Sequence, residues 1–165
     1  MVEKKEDQLR LPPHSVEAEQ AVLGCMLIDV EAVPKAMHHL TENSFYKPAH
    51  STIYTHMMKL FENNNTIDNI SMLEELKKSN QLDAVGGAYY ITGLSSEAPS
   101  AANVEYYARI VKDKSILRTI ISAAIKMSTT AYEGGDEPTE ILDNAEQVLF
   151  KLSEHADRGS FTSVE

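Results

Sequence analysis

Between Asn103 and Tyr132 the chain runs for thirty residues without a glycine or a proline, and its apolar residues recur at helical spacing. A helix of that length exceeds the ~10–14 residues usual in globular proteins. Gly134, Gly135 and Asp136 break it. Beyond them Pro138 stands where a first helical turn tolerates the missing amide. Ile141, Leu142, Ala145, Val148, Leu149 and Leu152 then form a narrow apolar seam. Two long helices around a glycine turn predict an antiparallel helical hairpin over residues 99–154. The charges agree: five basic against two acidic residues from Asn103 to Tyr132, and one basic against six acidic from Asp136 to Glu154. Opposite signs on adjacent arms favour pairing modestly.

Ahead of the hairpin the pattern is helical in shorter pieces. The polar residues 1–13 end in Pro12 and Pro13 and read as a flexible tail. Ser15 is placed to cap a first helix reaching about Ile28, with Glu17 and Glu19 near the positive end of its dipole. A second short helix follows Asp29; its Pro34 must fall in the first turn, and Met37 and Leu40 supply its buried face. Residues from Asn43 to Pro48 read as a loop with Phe45 and Tyr46 folded inward. The stripe Ile53, Tyr54, Met57, Met58, Phe61 marks a third helix, ended by Asn63, Asn64 and Asn65. Asp68 can cap a fourth helix carrying Ile70, Leu73 and Leu76 and closed by Ser79 and Asn80. Gly86 and Gly87 turn the chain into a fifth, with Tyr89, Tyr90 and Leu94. The expected fold is all-α: a five-helix globular unit over 14–98, the hairpin, and a polar stretch over 155–165 that reads as the start of a linker.

Of the 165 residues 42% are apolar and 7% aromatic, with no Trp, so the core must be built from aliphatic side chains, Met and a few Tyr. The net charge of -10 repels phosphate backbones and disfavours a self-sufficient nucleic-acid binder. The amino terminus lacks an apolar signal-like region, and the longest apolar run, Ala21 to Ile28, is too short to span a bilayer. A cytoplasmic protein is expected.

Catalytic chemistry finds little support. A phosphate-cradling loop needs a Gly-Lys pair, which occurs nowhere, and Gly86 and Gly87 read as helix breakers. His50 and His56 are six apart and His38 and His39 are adjacent; neither spacing points two imidazoles at one metal, so the histidines read as ordinary surface residues. Cys25 lies among apolar neighbours and reads as a buried, inert thiol. The carboxylates read as scattered on helix surfaces. An enzyme using His38, His50 or His56 with carboxylates, and a free-standing helical adaptor, are the competing classes. The feature that exceeds ordinary patterning is the far half of the long helix. At about 100° per residue, Ile116, Leu117, Ile120, Ile121, Ala123, Ala124 and Ile125 cover about half its circumference. A hairpin needs only a narrow seam, so the excess predicts burial against a partner chain, with Ile116, Leu117, Ile120, Ala124 and Ile125 as the self-association surface.

Residues 12–29, PPHSVEAEQAVLGCMLID, closely resemble the opening of the amino-terminal domain of DnaB-type bacterial replicative helicases. The resemblance continues in FYKPAHSTIY from Phe45, LDAVGGAYYI from Leu82, PSAANVEYYARIVKDKSILR from Pro99 and EILDNAEQVLFKL from Glu140. Cys25 departs from the small residue common in the family. The resemblance implies a hexameric, ATP-driven motor that encircles single-stranded DNA, of which this chain is similar to the first part alone. ATP and magnesium are expected to belong to a RecA-like ATPase domain outside it, with no catalytic, cofactor or metal residue here. The expected partners are further copies of the chain, paired through the hairpin, then the primase and a helicase loader, with DNA met mainly through the ATPase domain. Tyr90, Arg118, Ile121 and Met127 are the candidate primase contacts. The competing reading puts Tyr90 in the core and pairs Arg118 with an acidic residue of the second arm.

Overall fold

The computed structural model describes residues 10–157, so most of the expected tail (1–13) and most of the expected linker (155–165) lie outside the described residues. The described residues hold seven α-helices and no strand. In chain order these are α1 (Val16–Ile28), α2 (Ala32–Met37), α3 (Pro48–Glu62), α4 (Asn69–Lys78), α5 (Gly87–Ser96), α6 (Val104–Glu133) and α7 (Pro138–Asp157), with short 3-10 turns at Glu42–Ser44 and Ala101–Asn103. They form two compact units. One is residues 15–115; the other comprises 10–14 and 116–157, and the division falls inside α6.

The ends of the helices follow local chemistry. Ser15 is extended, and its hydroxyl accepts from the Ala18 amide at 3.2 Å, which starts α1. Asp68 and Ser71 satisfy each other's amides at 2.8 and 2.9 Å and start α4. Asn64 and Asn80 adopt left-handed φ of 57°, so that Asn65 N–H reaches Leu60 O and Gln81 N–H reaches Leu76 O, closing α3 and α4 in the same way. Gly86 and Gly87 have φ of 107° and 80°, the turn into α5 that a side chain would strain. Pro48 and Pro138 each occupy the first position of a helix, where no amide is needed.

In the 15–115 unit α1 is the central element, buried around most of its circumference and packed against α2, α3 and α5. Its approach to α5 is so close that a Cβ on Gly24 would collide with the Leu94 carbonyl oxygen and lie 2.8 Å from Ala98 Cβ. Leu23, Met26, Ile53, Tyr54, Met57, Met72, Leu76 and Ile91 fill the core, which is aliphatic, Met-rich and closed by one Tyr. The Tyr54 hydroxyl donates to Leu40 O at 3.0 Å.

Three local expectations are corrected. The buried face of α2 is Ala32, Val33 and Ala36, with Met37 only half-buried and Leu40 buried beyond the helix end. Pro34 does fall in its first turn. The segment read as a loop from Asn43 to Pro48 contains a 3-10 turn, and Pro48 already opens α3; Phe45 is buried but Tyr46 only half so. Ile70 is 76% exposed, because the buried stripe of α4 runs through Met72 and Leu76, four apart, and Ile70 lies almost opposite Met72 on the helix.

In the other unit the far half of α6 and α7 are joined by Gly134, Gly135, Asp136 and Glu137, and Gly134 takes a left-handed φ of 64°. The two arms face one another across a cleft of about 570 Å³ lined by, among others, Ala123 and Met127 of α6 and Ile141, Ala145 and Val148 of α7. Helix α7 continues to Asp157, three residues into the stretch expected as linker.

Candidate functional site

Two features stand out: a polar network buried beside α1 and a broad apolar arc on α6. In the first, Glu19 and His50 are 1% and 0% exposed. The Glu19 carboxylate accepts from His50 Nδ1 at 2.8 Å, from the Tyr46 amide at 2.9 Å and from the Lys47 amide at 3.3 Å. His50 Nε2 lies 2.5 Å from the Tyr90 hydroxyl, which also receives Gln20 Nε2–H at 3.2 Å. A carboxylate only accepts, so Nδ1 carries a proton. With a neutral ring, Nε2 accepts from the tyrosine, whose oxygen is left to accept from Gln20. Both carboxylate oxygens, both ring nitrogens and the tyrosine hydroxyl are then used. Burial pushes the Glu19 carboxyl up, but the bonds from His50 and from the Tyr46 and Lys47 amides outweigh it and hold the group below its ordinary value.

The reading of the histidines as surface residues and of the carboxylates as scattered is therefore wrong at these positions. His39 is also buried, with Nε2 3.6 Å from a Glu105 carboxylate oxygen, and burial lowers its pKa. His56 is half-buried beside Glu75, which Lys59 holds below the usual carboxylate range at an Nζ to Oε1 distance of 2.5 Å. No three His, Cys, Asp or Glu among the described residues are grouped to hold a metal ion. Cys25 is fully buried, with Sγ 3.6 Å from Pro99 O; burial, then the nearby Asp29, pushes its thiol up and away from reactivity.

Tyr90 is half-buried. Its hydroxyl turns inward to His50, while its ring, with Gln20, Tyr89, Gly93 and Glu97, lines a surface cleft of about 320 Å³. The other three primase candidates belong to the other unit. Arg118 donates to Pro13 O at 2.8 Å, Ile121 is exposed, and Met127 is half-buried on the wall of the cleft between the arms.

On α6 the residues facing α7 include Thr119, Ala123, Lys126, Met127 and Thr130. At about 100° per residue Leu117, Ile121, Ala124 and Ile125 fall on the other side of the helix, with Ile120 at the border, about 20° from Met127. All five are exposed, Ile125 to 62%. Ile116 is in phase with Ala123 and Met127 rather than with the arc, and is half-buried. Ile121 lies between Leu117 and Ile125 around the helix, so a residue expected for the primase shares the arc expected for self-association. Phe150, with Leu142 and Leu149, adds exposed apolar surface on α7. Periodicity did not single out Phe150, because it falls outside the seam.

Fold and surface define an all-helical domain with an exposed apolar face along one arm of a hairpin. Residues 11–113 match the family model described as the DnaB-like helicase N terminal domain, and the chain belongs to that family. It is 38% identical over 155 residues to the replicative DNA helicase DnaB of Geobacillus stearothermophilus, covering 94% of this chain and 34% of that protein. It is 41% identical over 145 residues to the replicative DNA helicase DnaB of Rhodothermus marinus, covering 88% of this chain and 15% of that one. The chain thus spans about a third of the first relative's length and about a seventh of the second's. The crystal structure of the N-terminal domain of DnaB helicase from Mycobacterium tuberculosis superposes with a TM-score of 0.79 at 33% identity, over 86% of this chain and 99% of that one.

Proposed function

We propose that the chain is a non-catalytic assembly and docking domain of a cytoplasmic, ring-forming replicative helicase. It pairs with further copies through the hairpin and offers the primase a surface that includes Tyr90. Unwinding, ATP and magnesium belong to helicase sequence beyond these residues, a division that fits relatives about three times as long or longer. The net charge of -10 keeps direct DNA contact secondary.

The observation that carries the reading is the exposed arc of α6, with Leu117, Ile121, Ala124 and Ile125 on the side turned away from α7 and Ile120 at its border. Contiguous apolar surface on a helix is a cost in water, and each 100 Å² of it buried against a second copy contributes about 2.5 kcal/mol. Sedimentation velocity on the wild type and on the double variant Ile120→Glu with Ile125→Glu tests it. The variant is expected to remain folded, since both side chains are exposed, and to sediment as a monomer where the wild type associates. The same oligomer in both would remove the arc from the interface.

A further inference from the structure

We propose that Glu19 and His50 are positioning residues for Tyr90: the hydrogen-bonded chain from the Glu19 carboxylate through the His50 ring to the Tyr90 hydroxyl sets the ring that walls the cleft beside α1. The inference rests on the docking role given to Tyr90 above, and it names what prepares that residue for binding.

The chain of constraint is continuous. The Tyr46 and Lys47 amides, just ahead of α3, grip both oxygens of Glu19. Glu19 orients the imidazole through Nδ1, and the imidazole meets the tyrosine through Nε2. The His50 and Tyr90 rings are also stacked, 10° from parallel with centroids 6.0 Å apart. The backbone also passes close to this side chain at Gly86, where a Cβ would lie 3.0 Å from Tyr90 Cβ and Cγ. The adjacent Tyr89 lines the same cleft, is 92% exposed and makes no side-chain hydrogen bond among those found for the described residues. Two neighbouring tyrosines of one cleft therefore differ in restraint as well as in exposure: Tyr90 is held and Tyr89 is not. A buried carboxylate and imidazole are a costly way to fill a core, and apolar residues would pack there more cheaply. What the polar chain adds is direction. A side chain already fixed in its bound orientation loses less freedom on binding, which is worth about a two- to tenfold gain in affinity.

The test measures binding of this chain to the helicase-docking domain of the cognate primase by calorimetry, for wild type, Tyr90→Ala, Tyr90→Phe and Glu19→Gln. Tyr90→Phe keeps the ring and removes only the hydroxyl link; Glu19→Gln keeps the shape and removes the charge. Nitrogen-15 spectra of the histidine rings supply a readout that packing alone does not move. The wild type should show His50 fixed with its proton on Nδ1, and Glu19→Gln should release that preference. Tyr90→Phe and Glu19→Gln are each expected to weaken binding about two- to tenfold. If Tyr90→Ala weakens binding while Tyr90→Phe and Glu19→Gln bind as the wild type does, positioning is overturned and the docking role stands. If Tyr90→Ala itself binds normally, the docking role falls and the inference with it. Should Glu19→Gln fail to fold, Tyr90→Phe decides alone.

Discussion

Replacing Glu19 by Ala removes the acceptor for three donors at once: His50 Nδ1–H and the Tyr46 and Lys47 amides. The three losses are unequal. Lys47 is exposed and Tyr46 half-buried, so their amides can recover water. His50 is fully buried and cannot. A buried donor left without a partner costs about 1–3 kcal/mol, and each lost hydrogen bond to a charged group about 1.5–3 kcal/mol. Allowing for the amides that rehydrate, about 3 kcal/mol is expected for Glu19→Ala, a large share of the ~5–15 kcal/mol that holds a domain folded. For a unit of this size that lowers the melting temperature by about 12–24 °C. Thermal denaturation followed by far-UV circular dichroism measures it, with Glu17→Ala as the control because Glu17 is exposed two residues away on the same helix. The control should shift stability by no more than about 1 kcal/mol, the dipole contribution of a first-turn carboxylate. If Glu19→Ala melts with the control, the network does not support the fold, and the account of α3 held through its first turn is wrong.

Gly24→Ala should destabilise by about 1–3 kcal/mol in chemical denaturation, because the collision with α5 outweighs the ~1 kcal/mol that alanine gains over glycine in an unconstrained helix; a stabilised variant would contradict the close approach. Stability should fall with acid in two stages. The buried His39 has a lowered pKa, so its unfolded form takes up the proton first and stability begins to fall as pH drops below the ordinary value of 6.5. Glu19, also lowered, contributes stability above the ordinary 4.5 that is lost as pH falls through its folded value. Urea midpoints across that range, in wild type and His39→Gln, check the order; a variant with an unchanged upper stage would remove His39 from it.

Much of the fold is legible because its boundaries are local. Ser15, the Asp68–Ser71 pair, Asn64, Asn80, Gly86 and the two helix-opening prolines each act on amides and carbonyls a few residues away, and each is a residue type chosen by that task. The buried network was not legible, since Glu19 and His50 are separated by 31 positions and meet only when α1 packs on α3. One signal existed: Glu19 stands in phase with Leu23 and Met26 on the buried face of α1, where a carboxylate requires a partner. Ile70 misleads because its type matches the stripe of α4 while its phase puts it on the exposed side. On the hairpin, periodicity found the excess apolar arc of α6, but which of its residues turn toward α7 depends on the crossing of the two arms. That crossing puts Met127 on the cleft wall and leaves Ile121 exposed in the arc.

The central claim is that the arc on α6 is where copies of this chain meet. Isotope-filtered NOE spectroscopy on an equal mixture of methyl-labelled and unlabelled chains reports contacts between molecules only. The account predicts intermolecular NOEs at the methyl groups of Leu117, Ile120 and Ile125 and none at core methyl groups such as those of Ile53 and Ile91. Association accompanied by intermolecular NOEs confined to residues of the 15–115 unit, with the arc silent, would contradict it.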